Sequence, residues 1–178
     1  MGSFYKGRGI DVIQKLSKLT PNIDYYLYGQ RDEDVRSTKN FRVFPHVSYS
    51  ESTKLIKSAD LLLMPYQSKV SINSSNFDDE ISKFISPLKM FEYLATGIPI
   101  ISSDLEVLRE ILINQKNSVL IKNYSNPFSW KNAIFNLSNN YSLRKYISKN
   151  SKATAINNSW EKRFIKIYNL YLNNNDND

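Results

Sequence analysis

Two short stretches of this chain carry residue types and spacings suited to chemistry on an anionic ligand. The first is Tyr5-Lys6-Gly7-Arg8-Gly9. Its two glycines let backbone amides come close to a ligand, and the turn opens a helix whose N-terminal dipole favours an anion. Lys6 and Arg8 add two cations to the same turn. The third glycine of a dinucleotide fingerprint is missing, and the P-loop pattern is absent. A basic surface turn with flexible glycines is the simpler account of the same residues.

The second stretch is Ser86–Thr96, SPLKMFEYLAT. Ser86 suits an N-cap and Pro87 the first helical position. At about 100° per residue, Leu88, Phe91, Leu94 and Ala95 form the expected core face, and Lys89, Glu92 and Thr96 a polar stripe beside it. Lys89 falls in the first turn, where the helix dipole disfavours a cation unless an anion sits there too. Glu92 borders the core face, a costly place for a carboxylate without partners. A vicinal diol would satisfy it, because one carboxylate can accept from two adjacent hydroxyls. A phosphate at the helix start with a ribose one turn deeper describes a nucleoside diphosphate. A half-exposed Lys–Glu pair at i, i+3 describes the same residues equally well.

Composition narrows the chemistry further. The chain has 178 residues, 24 Lys+Arg against 17 Asp+Glu, a net charge of +7, 41% hydrophobic residues and no cysteine. That balance is too apolar for a disordered chain and long enough for one sizeable core. The lack of cysteine excludes a disulfide framework, a thiolate nucleophile and a Cys-ligated zinc. A single histidine, His46, excludes an intact two-histidine metal motif. The positive balance favours anionic partners. Part of it follows a codon-driven bias, seen in 20 Asn and abundant Lys, Ile and Tyr. Nucleic acid is an unlikely partner, since no compact run of five Lys/Arg and no groove-reading motif is present. No window approaches about 18 consecutive apolar residues, and the first residues do not read as a signal peptide. The expected location is therefore cytoplasmic.

The elements that must position these stretches alternate. Apolar runs at 23–28, 41–44, 60–64, 98–102 and 118–121 read as strands. Helical patterns at 10–19, 50–58, 87–96, 105–113 and 127–138 separate them, and 141–172 is helical throughout. Such alternation predicts α/β architecture: one Rossmann-like domain with a parallel sheet of about six strands and helices on both faces. Residues 1–5 read as the end of a first strand, short enough to suggest that the chain starts inside a larger protein. Residues 1–172 form the expected domain, and 173–178 a disordered tail. In such a sheet the ligand crevice lies beyond the carboxyl ends of the strands. Trp130 and Trp160 are expected to pack in the core, and His46 to be structural or to touch a base edge.

The segment Ser86–Glu110, SPLKMFEYLATGIPIISSDLEVLRE, resembles the donor-site region of family 4 (group 1) glycosyltransferases. The opening GSFYKGRGID resembles the start of their C-terminal domain, ADLLLMPY (59–66) a conserved strand and loop, and SWEKR (159–163) their closing helix. The resemblance implies the donor-binding half of a GT-B fold, in which two Rossmann-like domains face a cleft. By position, Glu92 matches the glutamate that holds the ribose and Arg8 the lysine that grips the diphosphate. Ser86, Pro87, Leu88 and Lys89 match the phosphate- and sugar-contacting turn. Lys6 and Gly7 complete the first loop, with Lys6 replacing an arginine whose usual place is Ser3. Phe84 stands eight residues before Glu92, where the family's first motif glutamate belongs.

The implied activity is sugar transfer from a UDP-, GDP- or ADP-sugar with retention, of hexosyltransferase type. Arg8, Lys89 and Glu92 would do the work, with no cofactor and no metal. Asp78-Asp79-Glu80 is accordingly read as a solvated loop rather than a magnesium site. The implied setting is cell-surface polysaccharide or lipopolysaccharide synthesis, with peripheral contact at the inner membrane face. An N-terminal acceptor domain, deleted or supplied by another polypeptide, would be required for turnover. The alternative is a nucleotide-sugar-binding module without turnover.

Overall fold

The computed structural model describes Phe4 and residues 7–29, 35–68 and 88–175. Among these lie five strands and seven helices: α1 (Ile10–Leu19), β1 (Tyr25–Tyr28), β2 (Phe41–Phe44), α2 (Tyr49–Lys57), β3 (Leu62–Met64), α3 (Leu88–Thr96), β4 (Ile100–Ser103), α4 (Glu106–Arg109), β5 (Val119–Ile121), α5 (Pro127–Asn139), α6 (Tyr141–Asn157) and α7 (Trp160–Asn175). β1 pairs with β2, and β3-β4-β5 form a second ladder, all parallel, so the described residues carry five strands in two ladders rather than the expected single sheet of about six. The expected strand at residues 1–5 lies outside the described residues except for Phe4, which is buried.

β4 shows why the sheet needs helices on both sides. Ile100, Ile101, Ser102 and Ser103 are all buried. Ile101 joins a cluster with Val12, Leu16, Leu27, Phe41, Trp130 and Ile134 from β1, β2, α1 and α5. Ile100 joins a separate cluster with Ile56, Leu62, Met64, Tyr93 and Leu94 from α2, β3 and α3. Successive side chains on a strand point to opposite faces, so one continuous apolar run feeds two cores.

Local chemistry sets the ends. Ser48 caps α2 through a reciprocal box: Glu51 N–H donates to Ser48 Oγ (3.3 Å) and Ser48 N–H to Glu51 Oε2 (3.1 Å). Asn126 and Asn140 cap α5 and α6. The helical stretch expected over 141–172 is two helices, broken at Asn158-Ser159, where Asn158 ends α6. α7 runs on to Asn175, into the stretch expected to be tail. α4 is a single turn rather than the helix expected over 105–113, because Asn117 instead ties the chain down after it. Asn117 accepts from Ile113 N–H (2.7 Å) and donates to the Ile111 carbonyl (2.8 Å) and Thr154 Oγ1 (3.0 Å).

Gly97 closes α3 at φ 74°. A Cβ there would lie 2.4 Å from Lys152 Cε, a flexible side chain that can yield. The backbone term therefore dominates, and Gly97→Ala is expected to cost about 1–2 kcal/mol. Urea unfolding checks this, and a loss several times larger would mean that Lys152 is fixed in place.

Candidate functional site

The loop Gly7-Arg8-Gly9 leads into α1, and its glycines take left-handed φ values of 87° and 72°. Gly9 sits so close to the segment after β3 that a Cβ would lie 1.8 Å from the Pro65 carbonyl oxygen. Gln67 N–H donates to the Gly7 carbonyl (2.8 Å). The Gln67 side-chain amide donates to the Pro65 carbonyl (2.9 Å), and its Oε1 accepts from Ser125 Oγ (2.9 Å). Segments following β3 and β5 thus brace the turn at the carboxyl ends of the parallel strands.

Arg8 is half-buried, with its guanidinium carbon 5.4 Å from the centre of the Tyr66 ring. Its Nε is buried and has no hydrogen-bond partner among the described residues. A cation–π contact does not replace a hydrogen bond to a buried N–H, so this group is one acceptor short.

The first turns of α3 bring the remaining charges. Lys89 and Glu92 are half-buried and Tyr93 is buried. Burial is the main force pulling the Lys89 ammonium below its ordinary range; Glu92 opposes it and Arg8 adds to it. Burial also pushes up the Tyr66 hydroxyl, against the pull of Arg8. It raises the Tyr93 hydroxyl too, helped by Tyr66 and Glu92. These mutual influences place Arg8, Tyr66, Lys89, Glu92 and Tyr93 in one electrostatic neighbourhood. Two cations that repel each other in a partly desolvated place gain most from an anion between them.

Of the residues expected at the site, the structure brings Arg8, Lys89 and Glu92 together. Gly7 shapes the adjoining turn. Leu88 is 66% exposed at the start of α3 and lines the same cleft as Arg8, Tyr66, Lys89 and Tyr93. Lys6, Ser86, Pro87, Phe84 and Asp78-Asp79-Glu80 lie outside the described residues. His46 is exposed, reaches the same cleft, and has Nδ1 3.0 Å from the Val47 carbonyl. Among the described residues no group of three His, Asp or Glu side chains could hold a metal ion, and no helix is long and apolar enough to cross a membrane.

Two expectations are corrected. α3 buries Met90, Tyr93 and Leu94, while Leu88 and Ala95 are exposed and Phe91 is half-buried. The buried face is rotated toward Met90 and Tyr93 because α3 packs against both the sheet and α6. Trp130 is fully buried, with Nε1 donating to the Tyr124 carbonyl (2.8 Å), but Trp160 is 74% exposed on α7. Tyr66 and Tyr93 line the cleft as well, and the sequence did not single them out. The Tyr66 ring faces Arg8. Tyr93 could have been found as the aromatic four residues after Lys89.

Comparisons with known proteins follow the same outline. A search of curated proteins finds no match. Among solved structures, sucrose-phosphate synthase from Thermosynechococcus elongatus superposes with a TM-score of 0.74 at 15% identity, over 99% of this chain and 45% of that one. A glycosyltransferase from Rickettsia africae gives 0.69 at 15% identity, over 96% and 46%. HepE from Anabaena, in complex with UDP-glucose, gives 0.63 at 14% identity, over 86% and 41%. This chain thus spans less than half the length of these relatives in fold. The profile of the glycosyl transferases group 1 matches residues 8–154. From the Arg8 turn through α3 to most of α6, the chain belongs to the group 1 glycosyl transferases and has the fold of one half of a GT-B enzyme.

Proposed function

We propose that this chain is the donor-binding half of a retaining glycosyltransferase. It takes a hexose from a UDP-, GDP- or ADP-sugar and serves an acceptor, a glycan or lipid-linked sugar, held by a second α/β domain. The setting is cell-surface polysaccharide or lipopolysaccharide synthesis, with peripheral contact at the inner membrane face. One observation carries the reading: Arg8, Lys89 and Glu92 converge where parallel strands end, and the buried Arg8 Nε has no acceptor among the described residues.

The chemical task is to accept negative charge growing on the departing diphosphate while the sugar becomes oxocarbenium-like. Arg8 and Lys89 meet that charge, and the α3 dipole adds to it. Preorganised donors of this kind are worth about 3–4 kcal/mol each in an active site. Glu92, one turn deeper, accepts from the two ribose hydroxyls. HepE crystallises with UDP-glucose and with UDP, and a similar ligand suits the charges gathered here.

Calorimetry with UDP, GDP and ADP tests the reading. Glu92→Ala and Arg8→Ala are each expected to weaken the best-binding nucleotide at least tenfold, about 1.4 kcal/mol. Unchanged affinity in both variants removes the site assignment. A second reading, binding without turnover, is favoured by Phe84 in the place of the family's first motif glutamate. Slow hydrolysis of a bound nucleotide sugar by this chain would argue against it. Sugar transfer to an acceptor by this chain alone would contradict the need for a second domain.

A further inference from the structure

We infer that Tyr66 is a positioning residue, whose ring holds the Arg8 guanidinium in the orientation that presents it to the phosphates of a donor. The inference rests on the nucleotide-sugar reading above and extends it to a residue outside the phosphate-binding turn.

Arg8 stands between two glycines with left-handed φ, so neither chain neighbour has a side chain to prop it. A long, rotamer-rich side chain placed there needs an external support to be preorganised. The Tyr66 ring is the support observed, 5.4 Å from the guanidinium carbon. The ring is itself held. Its preceding residue, Pro65, abuts Gly9; its following residue, Gln67, bonds to Gly7 and is tethered to Ser125.

The choice of an aromatic ring has a physical reason. A carboxylate in this place would orient the guanidinium but also neutralise it, and would compete with phosphate for its N–H groups. Tyr66 orients the cation through its ring face and its hydroxyl, which carries no competing charge, and leaves the buried Nε unspent. Both consequences are visible. Among the described residues no carboxylate forms an ion pair with Arg8, and its buried Nε has no partner.

The test measures affinity for the best-binding of UDP, GDP and ADP, and for the matching nucleoside. Tyr66→Phe keeps the ring and is expected to stay within about threefold of the parent. Tyr66→Leu removes the ring and is expected to weaken the diphosphate about tenfold while leaving the nucleoside unchanged, because Arg8 reaches only phosphates. On an Arg8→Ala background the effect of Tyr66→Leu should vanish. A ring that merely supports the fold would weaken nucleoside and diphosphate alike and would keep its effect without Arg8; either result overturns the inference. If Tyr66→Leu does not fold, the unmodified protein decides by NMR. The Arg8 side-chain protons must show an upfield ring-current displacement, and its absence overturns the inference. Arg8→Ala separates the two levels. Loss with Arg8→Ala but none with Tyr66→Leu refutes the Tyr66 role alone, whereas no effect of Arg8→Ala, or no nucleotide binding at all, refutes the donor site and this role together.

Discussion

Gly9→Ala is expected to destabilise the protein by about 3 kcal/mol or more and to abolish nucleotide binding by whatever molecules stay folded. Two costs add at this position. The left-handed φ of 72° penalises any Cβ by about 1–2 kcal/mol. The new methyl would also lie 1.8 Å from the Pro65 carbonyl oxygen and 2.7 Å from its carbon. Those are backbone atoms at the end of β3, and they cannot swing aside as Lys152 can at Gly97. Overpacking against an unyielding neighbour typically costs a further 1–3 kcal/mol or so. Relief requires the turn to separate from Pro65, which pulls Arg8 off Tyr66 and breaks the Gln67–Gly7 hydrogen bond. The measurement is a urea melt followed by calorimetry. A variant that unfolds at the parent's midpoint and binds nucleotide normally would show that the turn is not anchored to β3.

Removal of the Trp130 side chain is the second large effect. Trp130 is fully buried in the cluster that joins α1, α5, β1, β2 and β4. Trp130→Ala empties an indole-sized volume and orphans the Tyr124 carbonyl that accepts from Nε1. Large-to-small changes of this type cost about 3–5 kcal/mol, and the carbonyl adds a smaller penalty where water cannot reach it. The loss should appear as a lower urea midpoint with little change in slope. Trp130→Phe, which keeps most of the volume but not the donor, should recover more than half of it. Trp160, exposed on α7, offers the contrast: in this chain its replacement by Ala should move the midpoint little. Equal effects at the two tryptophans would mean that α7 is covered in solution.

The α3 helix shows where reading a sequence stops. Its existence and end follow from local chemistry: a periodic apolar pattern that stops at a glycine. Its rotation does not. The pattern offers apolar residues at 88, 90, 91, 93, 94 and 95, so several neighbouring arcs could serve as the core face. The side that touches the sheet and α6 chose Met90, Tyr93 and Leu94. The same choice left Lys89 and Glu92 half-buried beside Arg8, where a surface pair would have been solvated. The α4 region fails for a related reason. Its apolar spacing reads as a helix, yet hydrogen bonds from Asn117, several residues later, consume the carbonyl and amide that a longer helix would use.

The amino-acid sequence by itself determined the alternation of strands and helices and the burial of both faces of β4. These are properties of short windows, where periodicity, capping and turn chemistry act between near neighbours. Only the tertiary structure decided that Tyr66 faces Arg8, that Gly9 abuts Pro65, that Gln67 links the turn to Ser125, and that Trp130 is core while Trp160 is not. Each of those is a contact between segments tens of residues apart. Such contacts depend on how helices rotate and loops meet over the parallel strands, and no local pattern encodes that geometry.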